Sequence, residues 1–247
     1  MTRFDGTEPR PWAGGYQGMS VADAPVETRA DFIRKTYLHL TGAVLAFVAL
    51  EAALFALVPD STKEAFLFRL AQTPWMWLLV LGGFVAVSWI ADSFARSTTS
   101  RPVQYAGLGI YVVAEAAIFL PVLWLAHSRF PGAIGSAALV TAIIFGALTA
   151  FVFITRTDFS WMRGILMVAG VAAMGLIAAG LLFGFNMGLW FVVPMIALAC
   201  GYILYQTSAL IHEYQPGQHV AASLALFASV ALLFWYVLRL IMSLQRD

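Results

Sequence analysis

The chain has 247 residues, of which 61% are hydrophobic and only 11% are charged. Soluble domains contain about 25% charged residues, so this composition indicates an integral membrane protein. The formal net charge of +1 leaves no basic surplus for a nucleic-acid-binding face, which excludes nucleic acid as a partner. The single cysteine, Cys200, excludes an intrachain disulfide framework and a cysteine-based zinc site.

Residues 1–30 are polar and rich in glycine, proline and alanine. They lack the apolar core of a cleavable signal peptide, so the first membrane span would direct insertion. We expect a mobile polar tail over residues 1–30 and a membrane domain over residues 31–247.

A membrane-spanning helix needs about 20 mostly apolar residues. The chain contains seven such stretches, at residues 38–58, 75–91, 103–126, 133–154, 161–183, 187–211 and 220–241. They lack the alternation of apolar and polar residues that marks the strands of an outer-membrane barrel. The sequence therefore predicts an all-α integral membrane protein with seven transmembrane helices and short linkers such as Pro59-Asp60-Ser61.

The basic residues are distributed unevenly between the two sides of this arrangement. One side has Arg3, Arg10, Arg29, Arg34, Lys35, Arg96, Arg101, Arg156 and Arg163; the other has Lys63, Arg69, Arg129, Arg239 and Arg246. Because cytoplasmic segments carry the excess of Lys and Arg, we expect the N-terminus to be cytoplasmic.

Few ionisable residues fall inside the predicted spans, and such residues are costly unless they are paired, hydrated or protonated. Glu51 lies about two-thirds of the way along the first span, and Glu115 lies near the middle of the third. Either carboxyl could face a hydrated cavity, as part of a pore or gate. The alternative is a protonated acid that hydrogen-bonds a neighbouring helix, an interpretation favoured for Glu51 because it is nearer an interface.

Ser88, Asp92 and Arg96 follow one another at intervals of four residues at the end of the second span. This spacing places them on one helical face, where Asp92 and Arg96 can pair across one turn. The pair could gate the membrane edge, but an ion pair that ends the span is the commoner arrangement.

A polar stripe lies on each of the last two spans. The sixth has Tyr205, Ser208 and His212, with Tyr202, Gln206 and Glu213 on the adjacent side; the seventh has Ser229, Tyr236 and Ser243. If the stripes meet, Gln206 can hydrogen-bond Ser229 or a tyrosine hydroxyl, which would fix the register of the two helices. Tyr205 and Tyr236 are further candidates for a pore or gate.

Motifs of catalysis and metal binding are missing from the sequence. There is no HExxH or paired histidine at i, i+4, no GxSxG and no glycine-rich phosphate loop. We therefore expect no enzymatic activity, no metal and no cofactor.

Several motifs in order resemble the Bax inhibitor (transmembrane Bax-inhibitor-motif) family. They are FIRKTYLHLTG from Phe32, AIFLPVL from Ala117, FVFITRTDFSWMRGIL from Phe151, GYILYQTSALI from Gly201 and SLALFASVALLFWYVLRLI from Ser223. The resemblance covers about residues 31–241 and implies a seven-helix fold in which the other six helices surround the last.

The resemblance also implies a chemistry from which this sequence departs. The family typically has an aspartate in Y-D-T of helix six and another in L-D-F-x-N-L-F of helix seven, which share a proton or bind a cation in a pH-dependent calcium leak. The corresponding residues here are Gln206 and Ser229, and Leu232 replaces the asparagine. Neither Gln206 nor Ser229 titrates near neutral pH or offers a negative charge to calcium.

Two functions are compatible with these observations. The first is a leak of calcium or protons with a lost or altered pH switch, in which Glu115, Asp92 or Glu51 substitutes for the aspartate pair. The second is a non-conducting regulator that binds other membrane proteins, such as the membrane protease with which bacterial members of the family associate. The chain's small size and the resemblance predict a bacterial inner-membrane protein surrounded by the lipid bilayer.

Overall fold

A computed structural model of the chain describes residues 20–97, 100–185 and 188–246. In this part of the chain the secondary structure is helical throughout. The α-helices are α1 (Val26–Leu57), α2 (Asp60–Gln72), α3 (Pro74–Ala95), α4 (Arg101–Arg129), α5 (Ala133–Thr155), α6 (Met162–Phe183), α7 (Gly188–His212) and α8 (His219–Leu244). All of them except α2 are long and apolar enough to cross a membrane, which confirms the predicted seven spans.

Helix α2 is the element that the sequence analysis did not predict. It begins at Asp60, within the segment predicted to be a short linker. Its 13 residues are too short to span the bilayer and include Lys63 and Arg69, so it does not form a long apolar stretch in the sequence.

The N-terminal boundary also differs from the expected one. Helix α1 begins at Val26, so it includes residues 26–30, which the sequence analysis assigns to the tail. A short 3-10 turn, Val21–Asp23, precedes α1 and packs against the bundle. Val21 is fully buried, and its N–H donates to the carbonyl of Tyr214 at 2.9 Å. Residues 1–19 of the predicted tail lie outside the described residues.

Helix α8 occupies the centre of the bundle, as the resemblance implied. It packs against α1, α3, α4, α5 and α7. Fifteen of its 26 residues are buried, whereas the described parts of α3 and α6 have two buried residues each. In a membrane, the apolar surface of the outer helices is solvated by lipid and needs no protein cover.

The two ends of the bundle hold different connections. The proximal end is the end at which α1 begins, and it also holds the connections α3–α4, α5–α6 and α7–α8. The distal end holds α2 and the connections α4–α5 and α6–α7. At the proximal end α3 and α4 approach so closely that a Cβ on Gly107 would lie 2.5 Å from the carbonyl oxygen of Ala91. Only glycine fits this position.

Candidate functional site

The loop between α5 and α6 is fastened to α7 by backbone and side-chain hydrogen bonds. Arg156 ends α5 in the left-handed conformation (φ 54°) and turns the chain into the loop. Asp158 then accepts hydrogen bonds from the N–H of Ser160 at 2.9 Å and from its hydroxyl at 2.5 Å. The next N–H, that of Phe159, donates to the hydroxyl oxygen of Ser208 on α7 at 2.9 Å.

These bonds to Ser160 lower the pKa of the Asp158 carboxyl, because they favour its ionised form. His212 lies on the other side of the carboxylate, with 3.9 Å between its Nδ1 and Asp158 Oδ1. The loop therefore presents a carboxylate that remains charged down to acidic pH.

Ser208, His212 and Asp158 form a serine–histidine–aspartate cluster that sequence spacing did not reveal, yet its geometry is not that of a catalytic triad. A triad requires the two ring nitrogens of histidine to face different partners. Here Nδ1 of His212 faces all of them, at 3.0 Å from the Ser208 carbonyl oxygen, 3.4 Å from its hydroxyl and 3.9 Å from Asp158. Ser208 is also fully buried. The cluster fastens the loop to α7.

Glu213, just beyond α7, links Tyr205 to α6. It accepts a hydrogen bond from the Tyr205 hydroxyl at 2.9 Å and lies 3.9 Å from the guanidinium of Arg163. The Tyr205 side chain is thereby held at the proximal end, in the same group of contacts as the α5–α6 loop.

The Asp92–Arg96 pair forms at the end of α3, as the spacing predicted. The two side chains are 2.8 Å apart and each is about half exposed, at 42% and 49%. The Arg96 guanidinium also lies beside the buried hydroxyl of Tyr214, in the α7–α8 connection. Burial raises the pKa of the Tyr214 hydroxyl, which is therefore a neutral neighbour of the ion pair.

Glu115 is the innermost carboxyl on this side of the molecule. Its side chain is buried between helices, with only 5% of its surface exposed, and it interacts with the Tyr111 hydroxyl one turn earlier on α4. The same hydroxyl interacts with Ser88 of α3. Asp92 lies one turn further along α3, so a line of polar groups extends from Glu115 to the proximal end.

Glu51 lies apart from this line. It is 6% exposed, and both of its carboxyl oxygens lack a hydrogen-bond partner among the described residues. The neighbouring positions on its face of α1, Phe47 and Phe55, are one turn away on either side and pack against aromatic rings of α4. The interhelical hydrogen bond expected for a protonated Glu51 is therefore not formed.

The expected clasp between Gln206 and Ser229 is not formed either. The Ser229 hydroxyl donates to the carbonyl of Ala225, one turn back on its own helix, at 2.9 Å. The half-buried Gln206 side chain makes no hydrogen bond within the described part of the chain. A serine hydroxyl in a helix reaches its own backbone without any movement of a neighbour, and this local bond prevails over the interhelical one.

Tyr236, the other tyrosine candidate, is buried in the distal half of the bundle. It packs with Ala173, Val192 and Met195, and its ring lies 6.1 Å from that of Phe191. It therefore does not meet Tyr205 in a common pathway.

The predicted residues thus fall into separate groups. Glu115 and the Asp92–Arg96 pair lie along one line, with Tyr111 and Ser88 between them. Tyr111 was not predicted from the sequence, although its spacing of four residues from Glu115 on one helical face could have indicated it. Asp158, which lies in the quoted FVFITRTDFSWMRGIL motif, was not predicted either. Among the described residues no three His, Cys, Asp or Glu side chains are grouped so as to hold a metal ion.

A bundle of seven spanning helices, with the last of them at its centre, defines the class of protein: a polytopic helical membrane protein. Residues 29–246 match the family described as "Inhibitor of apoptosis-promoting Bax1". The chain belongs to this Bax inhibitor family.

Relatives of the chain occur in eukaryotes and bacteria. Bax inhibitor 1 of Schizosaccharomyces pombe is 30% identical over 92% of this chain and 82% of its own length. Protein lifeguard 4 of Mus musculus is 25% identical over 93% of this chain and 92% of its own length. An uncharacterized protein of Pseudomonas aeruginosa is 31% identical, but over only 43% of this chain and 48% of its own length. No solved structure matches the chain significantly.

Proposed function

We propose that this protein provides a leak for protons or calcium across its membrane, with Glu115 as the innermost carboxyl of the pathway. The observation that carries the proposal is the line of polar groups from Glu115 through Tyr111 and Ser88 to Asp92. A buried carboxyl connected by hydroxyls to one membrane surface can exchange protons with that surface. Calcium requires six to eight oxygen ligands, so this line, with its single inner carboxyl, favours protons as the conducted ion.

The arrangement corresponds to a closed pathway. One turn beyond Glu115, the Phe119 ring packs against Phe47 at 5.3 Å, Phe234 at 5.8 Å and Trp235 at 5.0 Å between centroids. These rings separate Glu115 from the distal end. Conduction therefore requires them to move apart, and the rate of the leak would be set by that movement.

Flux measurements in proteoliposomes test the proposal. Wild-type protein should dissipate a proton gradient or admit calcium between about pH 5 and pH 8, and Glu115→Gln should remove this flux because the amide does not exchange protons. Glu51→Gln is the matched control, since Glu51 is equally buried but outside the polar line, and it should retain the flux. Wild-type flux indistinguishable from that of empty vesicles would reject a leak.

The second candidate is a non-conducting regulator, and the neutral Gln206 and Ser229 favour it. Under this proposal the protein acts by binding another membrane protein, such as a membrane protease. The variant with both Gln206→Asp and Ser229→Asp separates the two functions. Flux gained only by that variant, together with co-purification of the wild type with a defined protease after mild solubilisation, would support the regulator.

For the location we propose a bacterial inner membrane with the proximal end in the cytoplasm. The excess of Lys and Arg at that end supports the orientation. A reporter fused to the N-terminus, active only in the cytoplasm, tests it; an inactive reporter on an intact, membrane-inserted protein would reverse the orientation. We also propose that the protein has no enzymatic activity.

A further inference from the structure

Several serine and threonine hydroxyls of the spanning helices bond to their own helix. The side-chain oxygen donates to the carbonyl one turn back in the following cases: Thr36 to Phe32 (2.9 Å), Thr41 to Tyr37 (2.9 Å), Ser88 to Phe84 (2.8 Å), Thr155 to Phe151 (2.8 Å) and Ser229 to Ala225 (2.9 Å). Thr149 and Thr207, like Thr141 elsewhere on α5, depart from this pattern. Their hydroxyl oxygens are buried and have no hydrogen-bond partner among the described residues, and the same is true of the Tyr37 hydroxyl.

These three hydroxyl groups come from three helices and meet at one place. The Tyr37 hydroxyl of α1 lies beside the hydroxyls of Thr149 on α5 and Thr207 on α7. The Tyr37 ring packs 6.1 Å from that of Phe153, one turn beyond Thr149, which independently places Tyr37 against this part of α5. Thr207 is fully buried. The three groups are therefore neighbours, but none of them forms a direct hydrogen bond to another.

The chemistry of the cluster identifies what would bind there. A buried hydroxyl without a partner is costly, and nearly all such groups in proteins are satisfied by protein or by ordered water. Among the described residues, the side chains that interact with the Tyr37 hydroxyl are those of Thr149 and Thr207, so no charge there balances a cation. Calcium prefers carboxylates among six to eight oxygens. A buried water needs two to four polar partners, and this cluster supplies three.

We propose that one water molecule binds between the hydroxyls of Tyr37, Thr149 and Thr207 and joins α1, α5 and α7. The water anchors α7 at the residue directly after Gln206, where no direct bond between Gln206 and Ser229 forms. This site is independent of the leak, since none of its groups belongs to the line from Glu115 to Asp92.

A crystal structure at about 2 Å resolution, grown from a lipid phase, tests the proposal directly. A density peak should lie about 2.7–3.0 Å from each of the three hydroxyl oxygens, as in ordinary O–H···O hydrogen bonds. Two results would overturn it. One is direct bonding between the hydroxyls with no peak. The other is a peak at about 2.3–2.6 Å that disappears when sodium and calcium are removed, since such distances are typical of a metal ion.

Thermal unfolding of the purified protein gives a second readout. Thr149→Val, Thr207→Val and Tyr37→Phe should each lower Tm by about 2 to 4 °C, because each leaves the water one partner short. The triple variant should lose much less than the three losses combined, since it removes the water together with all the groups that require it. Thr41→Val is the matched control on α1 and should leave Tm unchanged. Strictly additive losses would contradict a shared water.

Discussion

The two ends of the bundle are closed by different kinds of interaction. At the proximal end, directional hydrogen bonds fasten connecting segments to helices, as between Phe159 and Ser208 and between Val21 and Tyr214. At the distal end, α2 is attached through Lys63, whose ammonium lies 4.0 Å from the Trp124 ring centroid and donates to the carbonyl of Phe55. Hydrogen bonds fix distances and angles more narrowly than a cation–π contact does. The distal end is therefore the better candidate for movement.

The largest expected effect comes from separating α3 and α4 at the proximal end. In Gly107→Ala the new Cβ would lie 2.5 Å from Ala91 O and 2.7 Å from Ala95 N, and these backbone atoms cannot rotate away. We expect a loss of about 3 kcal/mol in the free energy of unfolding, at the upper end of the range for overpacking. Gly109→Ala, where nothing lies within 4 Å, is the control. Equal Tm values for both variants would show that α3 and α4 separate easily.

The next effect concerns the distal end. Lys63 donates to the carbonyl of Phe55 at 3.0 Å, in the last turn of α1, and its ammonium lies 5.1 Å from the Phe55 ring centroid. Lys63→Met keeps an apolar side chain of similar length but removes the charge, the hydrogen bond and the cation–π contacts. We expect a loss of about 2 kcal/mol and faster proteolysis of α2. Arg69→Met, on an exposed position of the same helix, should change neither measurement. An unchanged α2 cleavage rate in Lys63→Met would mean that apolar packing alone holds α2.

The apolar stretches were sufficient to predict the spans and the class of fold, because a membrane helix must be long and apolar whatever surrounds it. They did not predict α2, since its role depends on how Lys63 reaches Phe55 and Trp124 in three dimensions. The link between Asp92 and Arg96 was predictable because both residues lie on one helix.

Contacts between helices were much less predictable. Gln206 and Ser229 were correctly singled out as polar positions, but the sequence could not show that Ser229 bonds its own backbone. Nor could it show that Thr207, an ordinary residue in the sequence, turns its hydroxyl towards Tyr37. Such choices depend on side-chain rotamers and on the distance between helices.

Two serine variants allow a contact between segments to be compared with a hydrogen bond inside one helix. Ser208→Ala leaves the Phe159 N–H without its acceptor, and we expect a loss of about 1 kcal/mol in unfolding free energy. Ser229→Ala removes only a bond to a carbonyl that already belongs to the helix, so its effect should be smaller. Thermal unfolding and hydrogen exchange of the Phe159 amide measure the difference. A larger loss of unfolding free energy for Ser229→Ala than for Ser208→Ala would show that the Ser229 hydroxyl, and not that of Ser208, makes the more important contact.

The smallest effect is a pH dependence at the proximal loop. The hydrogen bonds from Ser160 hold the folded-state pKa of Asp158 below its ordinary value of 3.8. The resulting stabilisation is fully present above that ordinary pKa and is lost as the pH falls through the lower, folded-state pKa. Because the Asp158 side chain is 56% exposed, solvent weakens the contribution. Wild-type Tm should therefore fall slightly more than that of Asp158→Asn below about pH 4, whereas Glu64→Gln, an exposed control on α2, should follow the wild type. Coincident profiles for wild type and Asp158→Asn would show that the hydrogen bonds from Ser160 hold this loop without the charge of the carboxylate.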